Sequence, residues 1–183
     1  MGDCRLKAGD YPGALAAYEA GLREALRNLT PRPSPLVVRL RSNGHLAMGR
    51  VHARDLNLRD ALQHYAQGVK LARELAHADP GNEETAWDFL WASDEAADFL
   101  GLLHSPEAAA VCYQSALETC VALVNAGHVS PALIAHVRHC YAQQAIVFEA
   151  LGDAAAARTA AEGAAEFGPV EPGTADSMGG PQG

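Results

Sequence analysis

The residues best suited to chemistry in this sequence lie in the run His136-Val137-Arg138-His139-Cys140. His136 and Cys140 are four apart, so a helix would set an imidazole and a thiol on one face, a workable spacing for two ligands of a transition metal. A structural zinc site takes four protein ligands, and no second His/Cys cluster with matching spacing occurs elsewhere. The plainer reading is one surface histidine and one small core cysteine, so no metal or cofactor is assigned. His45 and His52 are seven apart, two helical turns, and read better as core or half-buried packing histidines than as ligands.

Catalytic signatures are missing. The chain has no G-x-S-x-G, no glycine-rich phosphate loop followed by lysine and no H-E-x-x-H, so the expectation is a non-enzyme with no catalytic residues. Charge argues against nucleic acid as a partner. Residues 1–60 carry ten Lys/Arg against six Asp/Glu, whereas 61–183 carry four against sixteen, with no Lys or Arg between Arg73 and Arg138. Phosphate binding needs clustered positive charge. That acidic middle favours a cationic partner instead. No apolar run approaches the roughly 18 residues of a membrane span, and the N-terminus leads into no signal-like core. A cytoplasmic protein is expected, with no membrane partner. Its four cysteines (Cys4, Cys112, Cys120, Cys140) read as small apolar core residues rather than disulfides.

The elements that would position these residues come from an internal repeat. Ala14, Ala61, Ala109 and Ala157 recur at spacings of 47, 48 and 48. Each follows a turn signal: Gly9-Asp10, Asn57, Ser105-Pro106 and Gly152-Asp153. Tyr18, Tyr65 and Tyr113 follow the first three alanines by four residues, and Gly21, Gly68, Ala116 and Ala164 come three further on. Such turns end one helix and start the next. The alanine lets antiparallel helices approach, the tyrosine fills the space between hairpins, and the next small residue admits the following hairpin. First helices are predicted near 1–8, 34–55, 83–103 and 130–151, and second helices near 12–29, 58–78, 106–125 and 153–167. Links are predicted at 30–35, 79–82 and 125–131. The Gly/Pro-rich stretch 168–183 has no hydrophobic period and is expected to be disordered.

Gly9-Asp10-Tyr11 through Ala14, Tyr18 and Gly21, the Met1-Gly2 and Met48-Gly49 pairs, and the Asp79-Pro80-Gly81-Asn82 link together resemble the tetratricopeptide repeat family. The likeness covers roughly 1–167. It is clearest in the first two repeats and weaker in the last, where Gln144-Ala145 replaces the small-residue signature. The family period is about 34 residues; the longer period here resembles long-repeat bacterial variants. The resemblance implies an all-α, right-handed α-solenoid of about 3.5 antiparallel helix hairpins, with repeats near 1–29, 34–78, 83–125 and 130–167. The first hairpin lacks its front half, which suggests a piece of a longer signalling or regulatory protein.

By the same resemblance, the first helices would line a concave groove that binds a protein or peptide segment. Repeat alignment places Arg50 and Arg54 there from the second repeat, Trp91, Asp94, Asp98 and Leu102 from the third, and His139, Ile146 and Glu149 from the fourth. Trp91 would be the apolar anchor and the charges would set orientation. An equal alternative has Arg50 and Arg54 pairing with Asp94 and Asp98, merely holding the array together. The lysine and asparagine set with which some co-chaperones of the family hold a peptide carboxylate is not matched. The unfinished N-terminal edge offers another role, self-association as an assembly module, and a small-molecule or metal sensor ranks behind both.

Overall fold

The computed structural model describes residues 2–27 and 33–167. The expected disorder of 168–183 and part of the 30–35 link lie outside the described residues. Within them the chain is all-helical, with no strand: α1 (Gly2–Lys7), α2 (Tyr11–Arg27), α3 (Pro35–Arg54), α4 (Leu58–Ala78), α5 (Glu83–Leu102), α6 (Pro106–Asn125), α7 (Pro131–Ala150) and α8 (Ala154–Glu166). No helix is long and apolar enough to cross a membrane.

Each helix starts where its sequence predicts. Pro35, Pro106 and Pro131 occupy first-turn positions, where a missing N–H costs nothing. Side chains of Ser34, Asn82, Ser130 and Asp153 accept hydrogen bonds from the backbone N–H three residues on, at 3.4, 3.2, 3.2 and 3.0 Å. The ends within each pair share one device. Gly9, Leu56, His104 and Gly152 all have left-handed φ values, at 77°, 59°, 53° and 75°. In each case the residue's own N–H bonds three residues back and the next N–H bonds five back, as in Asn57 N–H to His52 O at 2.9 Å. This double closure is the Schellman motif. It reverses the chain in three residues, so paired helices that pack on each other must run antiparallel.

Glycine takes this conformation freely, but leucine and histidine do so at a cost of about 1–2 kcal/mol. Leu56 and His104 are also exposed, so little packing offsets that strain. Leu56→Gly should therefore stabilise the protein by about 0.5–1 kcal/mol after the loss of unfolded-state restriction is counted. An unchanged or lower urea midpoint would contradict this.

Every helix packs on its predecessor and successor in sequence, and α3 also touches α5. The core is correspondingly layered. Leu6, Ala14 and Val51 join α1, α2 and α3. Leu46, Ala61, Tyr65, Phe89, Ala96 and Phe99 join α3, α4 and α5. Leu90, Ala97, Ala109, Tyr113, Leu123, Val137 and Cys140 join α5, α6 and α7. All four anchoring alanines are buried. The small residue after the tyrosine has a different role from the expected one. A Cβ on Gly68 would lie 2.7 Å from Leu46, and Ser42 Oγ donates to Gly68 O at 2.8 Å, so Gly68 admits α3, its own pair partner, rather than the following hairpin. Gly21 meets nothing within 4 Å. Tyr65 does sit between pairs: its ring lies 3.1 Å from where a Gly49 Cβ would stand and 4.9 Å, centroid to centroid, from Phe99.

Candidate functional site

Helix α5 is the hub. It carries Glu83, Glu84, Asp88, Asp94, Glu95 and Asp98 with no basic residue. Its flanks treat those carboxylates differently, because adjacent helical residues point about 100° apart. On the α3 side Arg39 bonds both Glu84 and Asp88, and Arg50 bonds both oxygens of Glu95 at 3.0–3.2 Å. Tyr65 OH donates to the same Glu95 at 3.3 Å. Burial pushes the Glu95 carboxyl above its ordinary range against the pull of Arg50 and Tyr65. On the α7 side, among the described residues, Asp94 is bonded by no lysine or arginine and faces the His136 imidazole at 3.6 Å.

Between α5 and α7 lies an open cleft of about 770 Å3, walled by Glu84, Trp87, Asp88 and Trp91 and by Ala132, Ala135 and His136. Trp91 is 64% exposed, unusual for the largest apolar side chain. The Trp87 and Trp91 rings are 6.1 Å apart, and Trp87 meets His136 edge-on at 5.5 Å. At the cleft floor His136 Nδ1 lies 3.6 Å from Asp94 Oδ2, and His136 Nε2 lies 3.5 Å from Cys140 Sγ. His136 is thus a buried residue and not the surface histidine of the sequence reading. Burial lowers its pKa to about 4, with His139 acting the same way, and raises that of Asp94 to about 6. Burial raises the Cys140 thiol strongly as well, with Asp94 adding to the effect.

The structure splits the nine residues expected to line the groove. Trp91 stands in the cleft; Asp94, Asp98 and His139 gather beside it, with the His139 ring edge-on to Tyr113 at 6.3 Å. Arg50 is half-buried and spoken for by Glu95, while Arg54 is exposed at the end of α3. Leu102, Ile146 and Glu149 are exposed but lie further along their helices; eleven residues separate Trp91 from Leu102, about 16 Å of helix. The pairing of Arg50 and Arg54 with Asp94 and Asp98 takes another form: the carboxylate on Arg50 is Glu95, and Asp94 faces His136. Glu84, Trp87, Asp88 and Ala135 were missed because repeat alignment projects a fixed set of positions. A cue was available in Trp87 and Trp91, four apart and hence on one face. Cys120 and Cys140 are buried as expected and Cys112 is half-buried, but Cys4 is exposed; all four are free thiols.

A separate histidine cluster joins α3 to α4. His45 Nδ1 and His64 Nδ1 are 3.0 Å apart, and the His52 ring stacks on His64 at 5.3 Å. One Nδ1 must donate and the other accept, so protonating both rings would set two N–H groups face to face. Burial lowers both pKa values; His64 and Arg41 lower that of His45 further, His52 lowers that of His64, and Asp60 and Glu19 oppose. The unfolded chain therefore takes up protons near pH 6.5 that the folded chain resists, so this stability is present above that pH and is lost as pH falls through it. Urea midpoints measured from pH 8 to pH 5 should drop more for the wild type than for His45→Gln/His64→Gln. Parallel curves would contradict that reading.

The fold defines a class, an all-helical chain of sequential antiparallel pairs. No family model and no curated protein matches it. Among solved structures it is similar to BtubC (BKLC) from P. vanneervenii, at 16% identity and a TM-score of 0.52 over 91% of this chain and 76% of that one. That likeness concerns the fold alone.

Proposed function

We propose that this chain is a protein- or peptide-binding scaffold, a cytoplasmic tetratricopeptide-like right-handed solenoid, and not an enzyme. Its partner is a peptide segment carrying positive charge beside an apolar side chain. The observation that carries this reading is the α5–α7 cleft, where an exposed Trp91 stands next to Trp87 among carboxylates. Arg39 of α3 pairs the cleft's own Glu84 and Asp88, while Asp98, further along α5, stays exposed and supplies the acidic charge beside Trp91. Tryptophan is among the residue types that most often dominate binding energy, and complementary charge sets orientation and on-rate.

Peptides selected from a random display library on the folded chain should be enriched in Lys/Arg next to aromatic or aliphatic residues. Trp91→Ala should weaken the best of them by about tenfold or more. Selected peptides without basic residues, or with affinity indifferent to Trp91→Ala, would sink the proposal.

Self-association is the second reading. Leu26, Leu36 and Leu40 are exposed beside an open cleft of about 550 Å3 between α2 and α3, a face a second copy could cover. Sedimentation across a concentration series decides it, because a persistent monomer excludes that role.

A further inference from the structure

We propose that Asp94, His136 and Cys140 form a binding site for a zinc-like divalent transition-metal ion at the floor of the α5–α7 cleft. The three residues offer one oxygen, one nitrogen and one sulfur, all within 4.8 Å of one another. Tetrahedral zinc at the usual bond lengths needs donors about 3.3–3.8 Å apart. The 3.6 Å from Asp94 Oδ2 ends on His136 Nδ1 and the 3.5 Å from Cys140 Sγ ends on His136 Nε2, so one spacing is in range for a given nitrogen and the third donor lies within 4.8 Å. Only one imidazole nitrogen can face the ion, so a small turn of the side chains completes the set. His136 and Cys140 come from one face of α7 and Asp94 from α5, so the two ligand-bearing helices are held by the packing of the Leu90, Leu133 and Val137 layer.

An independent observation points to a cation. Asp94 Oδ1 is sealed from solvent and receives no hydrogen bond within the described residues. A buried, unsatisfied carboxylate oxygen is costly unless something positive meets it. Among the described residues the ion-pair partner of Asp94 is His136, and no lysine or arginine bonds it. A divalent ion favours carboxylate and thiolate directly. Binding replaces the Cys140 S–H bond with a sulfur–metal bond and releases the proton to solvent. The mixed O/N/S donor set suits borderline ions such as Zn2+ and Co2+ rather than Ca2+ or Mg2+, which prefer oxygen alone. Three protein ligands leave one position for solvent, and Asp94 is 23% exposed, so water can reach it. The plainer possibility is a satisfied core histidine beside a core thiol; it explains His136 and Cys140 but leaves Asp94 Oδ1 orphaned.

The test uses the full chain with Cys4→Ser, which removes the exposed thiol. Titration with Co2+ should give visible d–d bands of a four-coordinate site together with a thiolate-to-metal charge-transfer band, saturating at a 1:1 ratio. Emission from Trp87 should be quenched in step, because its ring lies 5.5 Å from His136. Zn2+ should displace the Co2+ signal and raise the thermal midpoint. Asp94→Asn, which keeps size and shape, should weaken binding by at least about 10–100-fold, the cost of losing even an outer-shell partner. Cys140→Ala should abolish the charge-transfer band, with circular dichroism confirming that it still folds. Absence of that band in the parent chain overturns the proposal without reference to any variant. Tight binding that survives Asp94→Asn overturns it equally, because the ion then sits elsewhere.

Discussion

Phe89→Ala should destabilise the protein by about 3–5 kcal/mol, a large fraction of the roughly 5–15 kcal/mol that holds a domain folded. Phe89 is 1% exposed and Leu90 is fully buried, yet the two belong to different core layers. Phe89 packs among Tyr65, Ala92 and Phe99 in the α3–α4–α5 layer, whereas Leu90 packs among Tyr113, Leu123 and Val137 in the α5–α6–α7 layer. Helix α5 is thus apolar on both flanks and is the tie between two halves that otherwise share little. A cavity at Phe89 loses the transfer energy of the ring and the contacts of its lining. Because layers touch only neighbours, the loss should also reduce cooperativity, as in nearest-neighbour repeat systems. Urea unfolding followed by Trp emission and by circular dichroism should give transitions that separate in Phe89→Ala and coincide in the wild type. A loss below about 1 kcal/mol would mean that the layer is loosely packed.

Arg50→Ala should cost about 2–3 kcal/mol, more than a surface ion pair but less than a fully buried one. Arg50 is the only cation bonding the half-buried Glu95 among the described residues, and Tyr65 alone would remain to it. Deleting the arginine also removes its aliphatic stem from the α3–α5 contact. Burial already raises the Glu95 pKa, and losing Arg50 raises it further. The ionised form is then the costly one, so the deficit should shrink as pH falls toward the ordinary glutamate range and be largest above it. Adding Glu95→Gln to Arg50→Ala should recover about 1 kcal/mol at pH 7, because no unpaired charge is left behind. A double variant no better than the single one would place the loss in packing rather than charge.

The helices were legible because their punctuation is local: proline and Ser/Asp/Asn at starts, and a three-residue link at the ends within each pair. Gly9 and Gly152 advertise their turns, whereas Leu56 and His104 adopt the same backbone without any residue-type cue. Their turns were reached through the neighbouring Asn57 and Ser105-Pro106 together with the repeat spacing. The anchoring alanines and Tyr65 were read correctly because close helix crossing selects small residues and leaves a gap for a large one. The partner of Gly68 was misassigned because a one-dimensional period does not say which neighbour a small residue admits. The candidate site was half visible for a related reason. Trp91, Asp94 and Asp98 were placed on the right helix, but whether Asp94 or Glu95 turns toward α3 depends on a rotation of about 100° between consecutive residues. That rotation is set by Phe89 and Leu90 each seeking its own layer. The buried triad was invisible for the same reason: Asp94 lies 42 positions before His136, and only the packing of α5 on α7 brings them together.

The central claim is that a partner segment binds in the α5–α7 cleft. Its most direct test is photo-crosslinking of the best display-selected peptide, carrying a benzophenone at its apolar position, followed by mass mapping of the adducts. Adducts concentrated on Trp87, Trp91, Ala132 and Ala135, and suppressed by Trp91→Ala, are the result expected. Adducts concentrated on the opposite surface, at Leu62, Val69 and Val111 between α4 and α6, would contradict it.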